Sequence, residues 1–198
     1  MSSPPAPAED PIAKFQQWLA EATRFGVHEP TAMTLATVGA DGAPAARMVL
    51  LKGVDERGFS FFTNYDSDKG MQLRDNPWAA LVFPWHVMGR QVRVTGPVER
   101  VSAEESDAYF ASRPPGSRIS AWASPQSGVI TSRQVLEDKV AELTARWPGD
   151  TVPRPPFWGG LRVLPVTIEF WTHKDDRLHD RERHTRDGDG WKVECLAP

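Results

Sequence analysis

The sequence predicts a mainly β chain with peripheral helices, an antiparallel barrel or sandwich. Three observations carry that reading. Short β-rich runs recur between residues 31 and 100, turn residues of the hairpin type separate them, and further runs of the same kind close the chain after residue 160. Helical periodicity is confined to short segments that flank or interrupt these runs.

Residues 1–10 are rich in Pro and Ala. They bury little apolar surface, so a mobile tail is expected there, with 11–198 forming a single domain. Asp10-Pro11 supplies an N-cap and a proline at the first helical position. Ile12, Phe15, Trp18, Leu19 and Ala22 then recur at helical spacing, and Gly26 is a natural stop, which predicts a helix over 11–25. Strands are expected at 33–38, 45–54, 58–64, 79–85 and 90–100. Gly39-Ala40-Asp41-Gly42 turns between the first two, and Asp55-Glu56-Arg57-Gly58 between the next two.

Ser67 can cap a short helix through Arg74 that ends at Asn76-Pro77, and Ser102 with Glu105 forms a capping box for a helix to about Ser112. Pro114-Pro115 ends that helix, and Ser117 is placed to cap the next. A helix over 132–147 and strands at 160–171, 177–186 and 191–196 complete the expectation. Pro153-Arg154-Pro155-Pro156 reads as a stiff connection inside the domain, and no internal repeat is present.

The chain has 198 residues, 40% hydrophobic and 25% charged, with a net charge of −3. That balance gives no general attraction to nucleic acid or anionic membrane, so an anion site must be built from a few placed cations. No apolar run approaches a membrane span, and the N-terminus lacks the pattern of a signal peptide, so a cytoplasmic protein is expected. Cys195 is the only cysteine, and His28, His86, His173, His179 and His184 show no metal-ligand spacing; no metal is expected.

Several polar groupings are costly unless they bind something. In Arg177-Leu178-His179-Asp180-Arg181, a strand would place Arg177, His179 and Arg181 on one face, suited to an anion or an electron-rich ring; the solvated face of an edge strand is the plainer alternative. Arg47 and Lys52 bracket an apolar run and would fall on opposite faces of a regular strand. They can serve two ligands, or simply mark the strand's wet ends. Lys69 lies in the first turn of a helix, where a bound phosphate would explain it, as would plain exposure. Tyr109 and Arg113 share a helix face near Ser117 and can form a phosphate grip or an ordinary helical corner. Gln91, Gln126 and Ser127 are neutral donors and acceptors, and the Trp171 indole is a good flank for a planar cofactor.

The runs Arg47-Met48-Val49-Leu50-Leu51-Lys52, Phe83-Pro84-Trp85-His86, Arg90-Gln91-Val92, Tyr109-Phe110-Ala111-Ser112-Arg113-Pro114, Ala121-Trp122-Ala123-Ser124-Pro125-Gln126-Ser127, Phe157-Trp158-Gly159-Gly160, Ile168-Glu169-Phe170-Trp171 and Arg177-Leu178-His179-Asp180-Arg181 stand in order along nearly the whole chain. Together they resemble the pyridoxine/pyridoxamine 5′-phosphate oxidases. The resemblance implies an FMN-binding split β-barrel, a homodimer with FMN at the subunit interface. It implies oxidation of phosphorylated B6 vitamers to pyridoxal 5′-phosphate by hydride transfer to the flavin, with O2 as the final acceptor giving H2O2.

By matching positions, Arg47, Thr63, Lys69, Gln126 and Ser127 would hold the phosphate and ribityl end of FMN, and Gln91, Trp171 and Arg181 the rest of the flavin. Met48, Val49, Leu50, Lys52 and Phe62 belong to the same cofactor-binding stretches. Lys52, Tyr109, Arg113 and Ser117 would grip the substrate phosphate. Arg177 and His179 would close over the pyridine ring as the catalytic pair, Arg177 by stacking and His179 by orienting the 4′ substituent or removing its proton.

Three positions depart from the family pattern. Phe62 stands where a tyrosine is common, and Asp68 where a basic residue is frequent. Nothing in Met1 to Asp10 resembles the arm that often covers the substrate. A related flavin oxidase acting on another ring, as in phenazine biosynthesis, and a non-catalytic flavin or pyridoxal-phosphate binding protein are the alternatives.

Overall fold

The computed structural model describes residues 10–149 and 151–198. The expected tail lies outside the described residues except for Asp10. The first helix, α1 (Pro11–Phe25), begins where the Asp10 carboxylate accepts from the Ile12 N–H (3.0 Å) and ends at Gly26, whose φ of 84° is left-handed. Its buried face drives Phe15 against Phe59 and Phe83, with ring centroids 4.8 and 4.7 Å away.

The strands are β1 (Ala32–Val38), β2 (Pro44–Leu50), β3 (Gly53–Asp55), β4 (Gly58–Asn64), β5 (Trp78–Trp85), β6 (Arg90–Arg100), β7 (Trp158–Val163), β8 (Thr167–Thr172), β9 (Asp180–Asp187) and β10 (Gly190–Cys195). Helix α2 (Asp68–Asp75) follows β4, and α3 (Ala103–Ser112), α4 (Pro115–Ala123) and α5 (Arg133–Arg146) fill the span between β6 and β7. Pairing is antiparallel in the order β10-β9-β8-β6-β5-β1-β2, with β3-β4-β7 joined through the far end of β6. Thus β6 serves two neighbours in succession: Arg90 to Thr95 face β8, and Val98 to Arg100 face β7. This is the curled, split-barrel sheet that the sequence predicts.

Alternation along the strands places Leu35, Phe59, Phe61, Leu81, Phe83, Val92, Val94 and Ile168 inside the curl with Phe15. A second apolar cluster, including Phe110, Ile119, Leu143 and Trp158, lies beneath α3, α4 and α5. Lys14 of α1 ties to Glu182 of β9 at 2.6 Å.

Five expectations need correction. The run 45–54 is two strands, because at Leu51 and Lys52 the backbone changes partner, from Thr31 O to Ser60 O. The run 160–171 is also two strands, broken at Leu164-Pro165-Val166, where the chain leaves β4 and β7 for the pairing of β8 with β6. The run 177–186 begins only at Asp180: Asp176 and Arg177 have φ of 55° and 62° in a 3-10 turn, so Arg177, His179 and Arg181 do not share one strand face, and β9 is flanked by β8 and β10 rather than at an edge. Ser117 is no cap. It lies inside the first turn of α4, whose N-cap is Pro114. The capping box is half formed: Ser102 accepts from Glu105 N–H, but the Glu105 carboxylate turns to Arg57 and Arg162.

Among the described residues, no helix is long and apolar enough to cross a membrane, and no His/Cys/Asp/Glu cluster could hold a metal.

Candidate active site

A cleft of about 430 Å³ opens between β2, β4, α3 and α4. At one end stands Lys69, placed by the Ser67 cap of α2 and only 9% exposed. Its Nζ reaches Thr63 Oγ1 (3.3 Å), Ser67 Oγ (3.2 Å) and Gln126 Oε1 (3.3 Å), all neutral. Burial, then the nearby Arg47 charge, push the Lys69 pKa below the ordinary lysine value, against a smaller opposing pull from Asp68. Arg47 is not on the cleft wall. Its guanidinium donates to Thr37 Oγ1 (2.5 Å) and Gln72 Oε1 (2.9 Å), and burial lowers its pKa too. Neither cation has an ion-pair partner among the described residues. Two desolvated cations held by neutral acceptors form a site that an anion would complete.

On the cleft wall Phe62, Tyr109 and Trp158 stack as a ladder: the Phe62 ring centroid lies 3.9 Å from that of Tyr109 and 5.6 Å from that of Trp158, with interplanar angles of 19° and 16°. The Arg113 guanidinium sits 4.7 Å over Trp158, and its Nη1 is buried without a hydrogen-bond partner. Burial lowers its pKa. Lys52 enters the same cleft from the break between β2 and β3, along with Met48, Val49 and Leu50. Ser117 is not on the wall; Ser120 and Ser124, farther along α4, are. Ser127, with a left-handed φ of 73°, accepts from Asp68 N–H at 3.2 Å and faces an adjoining cavity that shares Gln126 with the first.

The remaining sequence-predicted residues lie elsewhere. Gln91, Trp171 and Arg181 occupy one register row across β6, β8 and β9. Arg181 is already engaged, through Glu169 (2.9 Å) and the Ala197 carbonyl (2.9 Å). The His179 ring lies 4.6 Å from that of Trp171, and its Nδ1 accepts from Lys174 N–H at 3.2 Å. Arg177 is exposed, with no side-chain partner among the described residues. No member of this group lines the cleft that holds Lys69 and Arg113.

Thr37, Gln72, Asn64, Ser120 and Ser124 were missed by sequence reasoning. Gln72 alone carried a usable signal, standing three residues after Lys69 on one helix face.

The family pattern described as pyridoxamine 5′-phosphate oxidase matches residues 19–147, and that described as the pyridoxine 5′-phosphate oxidase C-terminal dimerisation region matches 158–198. The chain belongs to the pyridoxamine 5′-phosphate oxidase family. Within it, the chain is 58% identical over 194 residues to a pyridoxine/pyridoxamine 5′-phosphate oxidase of Burkholderia multivorans, covering 96% of this chain and 90% of that one. A protein of the same description from Nostoc punctiforme is 54% identical over 190 residues, 96% and 89% of the two chains. Among solved structures, PhzG of Burkholderia lata 383, in complex with tetrahydrophenazine-1-carboxylic acid, superposes with a TM-score of 0.92 at 35% identity over 100% and 98% of the chains.

The oxidase family's cofactor is FMN, and the residues present fit it. Half-buried Arg47 and buried Lys69, both held by neutral acceptors, suit a doubly charged phosphate.

Proposed function

We infer that the chain oxidises pyridoxine 5′-phosphate and pyridoxamine 5′-phosphate to pyridoxal 5′-phosphate, with O2 as acceptor. The observation that carries this reading is the buried, unpartnered Nη1 of Arg113, in the same cleft as Lys52 and Tyr109 and sharing no hydrogen-bond partner with Arg47 or Lys69. Two separate cation groups suit two phosphorylated ligands.

In this reading Arg47, Lys69, Thr63, Gln126 and Ser127 hold the FMN phosphate and ribityl end, while Met48, Val49, Leu50 and Phe62 wall the cofactor. When bound, FMN supplies the hydride acceptor and the route to O2. Arg113, Lys52 and Tyr109 fix the substrate by its phosphate; Ser117, off the cleft wall, joins them by its matching position alone. The planar guanidinium of Arg177 covers the pyridine ring, and Gln91, Trp171 and Arg181 flank the flavin. Because His179 Nδ1 accepts the Lys174 N–H, the neutral ring carries its proton on Nε2. His179 therefore donates a hydrogen bond that orients the substrate's 4′ substituent, in preference to taking a proton at that nitrogen.

None of the Arg177 group lines the cleft, so we take the working unit to be a homodimer in which a second copy brings its Arg177 and His179 there. The match to a dimerisation region supports this.

A second reading, oxidation of a phenazine-type ring, is favoured by the likeness to PhzG. It leaves the Arg113 group without a phosphate to bind, and identity to the oxidases is much higher. Anaerobic mixing of the FMN-loaded protein decides: the flavin spectrum should bleach with pyridoxine or pyridoxamine 5′-phosphate and not with the dephosphorylated vitamers. Bleaching by neither phosphate ester defeats the reading.

A further inference from the structure

Three hydrogen bonds close a ring around the Arg47 guanidinium. Nη1 donates to Thr37 Oγ1 (2.5 Å), the Thr37 hydroxyl donates to Gln72 Oε1 (2.6 Å), and Nη2 donates to that same Oε1 (2.9 Å). A threonine hydroxyl has one proton to give; with it directed at Gln72, the oxygen is left to accept from Arg47, so every bond in the ring has a fixed direction. Thr37 is 2% exposed, so little water competes for these groups.

Both ring partners are neutral. A carboxylate in either place would anchor the guanidinium equally well but would cancel its charge. Thr37 and Gln72 fix the orientation and add no negative charge; the carboxylate whose field reaches the guanidinium is that of Asp68, and it forms no ion pair with it. Arg47 helps to depress the Lys69 pKa, against a smaller opposing pull from Asp68, so the ring holds in place one member of a pair of like charges that repel each other.

We propose that Thr37 and Gln72 are positioning residues for the phosphate of the bound flavin, acting through Arg47 by presenting its guanidinium beside Lys69 before the ligand arrives. This rests on the assignment of Arg47 and Lys69 to that phosphate. The competing role is a plain structural bolt between β1, β2 and α2, and the two roles differ in what they do to a flavin that has no phosphate.

The test is equilibrium binding of FMN and of riboflavin to the cofactor-free protein, followed by quenching of flavin fluorescence. Gln72→Met and Thr37→Val should each weaken FMN binding by about tenfold, in the range of one hydrogen bond to a charged group, and leave riboflavin within about twofold. Thr37→Ser, which keeps the hydroxyl, should bind FMN as the parent does. In an Arg47→Met background, Gln72→Met should change FMN affinity by less than about twofold.

Equal losses for FMN and riboflavin, or an undiminished effect of Gln72→Met without Arg47, would overturn the positioning role. So would an FMN preference that survives both Gln72→Met and Thr37→Val. If the parent protein itself binds FMN no better than riboflavin, the phosphate assignment of Arg47 and Lys69 falls, and the positioning role with it.

Discussion

The cleft around Lys69 and Arg113 and the group around Arg177 and His179 are built in opposite ways. In and beside the cleft, Lys69 is buried and Arg47 and Arg113 are half-buried, bonded to neutral acceptors or stacked on a ring, and carried on a capped helix, a sheet and a helix end. Arg177 is exposed in a turn, and His179 stands just outside β9. The first region holds its side chains in place within one chain; the second leaves Arg177 with no side-chain partner among the described residues, as the proposed homodimer requires. Desolvation of like charges is tolerated where a ligand anion will neutralise them, whereas ring-covering groups gain more from freedom to approach.

The largest expected effect concerns that division. Arg113→Ala and Arg177→Ala should each abolish nearly all turnover. Co-expressed, the two variants should recover roughly a quarter of parental activity, because mixed dimers would contain one intact site. Absence of recovery in demonstrably mixed dimers would place both groups in one chain's site.

Next in size, Lys69→Met should weaken FMN binding by about 1.5–3 kcal/mol, measured by fluorescence titration, since it removes charge-assisted bonds to the phosphate. Arg177→Lys should lower steady-state turnover about tenfold while FMN affinity stays unchanged, because lysine keeps the charge and loses the planar stack. A parallel fall in FMN affinity would blur the distinction between the regions.

The smallest effect is on stability. The folded pKa of Lys69 lies below its unfolded value, so the unfolded state binds more protons between the two, and the cofactor-free protein should become more stable as pH rises through that window. FMN affinity should fall over the same window as Lys69 loses its charge. Thermal melts of the parent and Lys69→Met across alkaline pH check this: the Lys69-linked rise should vanish in the variant.

Much of this was legible from sequence where local chemistry decided the structure. Asp10-Pro11 and Gly26 bound α1, Ser67 caps α2, and alternation marks the strands. The failures share a cause. At Leu51-Lys52 and at Leu164-Pro165-Val166 the residues still look β-like, and only the switch of pairing partner breaks the strand, which is tertiary information. The row Arg177, His179, Arg181 was assigned to one face by assuming a regular strand. The left-handed pair at Asp176 and Arg177 leaves no strong mark in side chains that are not glycine. In the site, the motif residues were found, but Thr37 and Gln72 were not, because their part depends on a contact across 35 residues.

The turn at Asp176 and Arg177 has a consequence for anyone who sets out to improve this protein. Successive non-glycine residues at positive φ cost on the order of 1–2 kcal/mol each. A screen for thermostability should therefore favour Asp176→Gly early, since glycine relieves that cost. The same exchange would free the backbone that aims Arg177, so the sturdier variant should be the poorer enzyme.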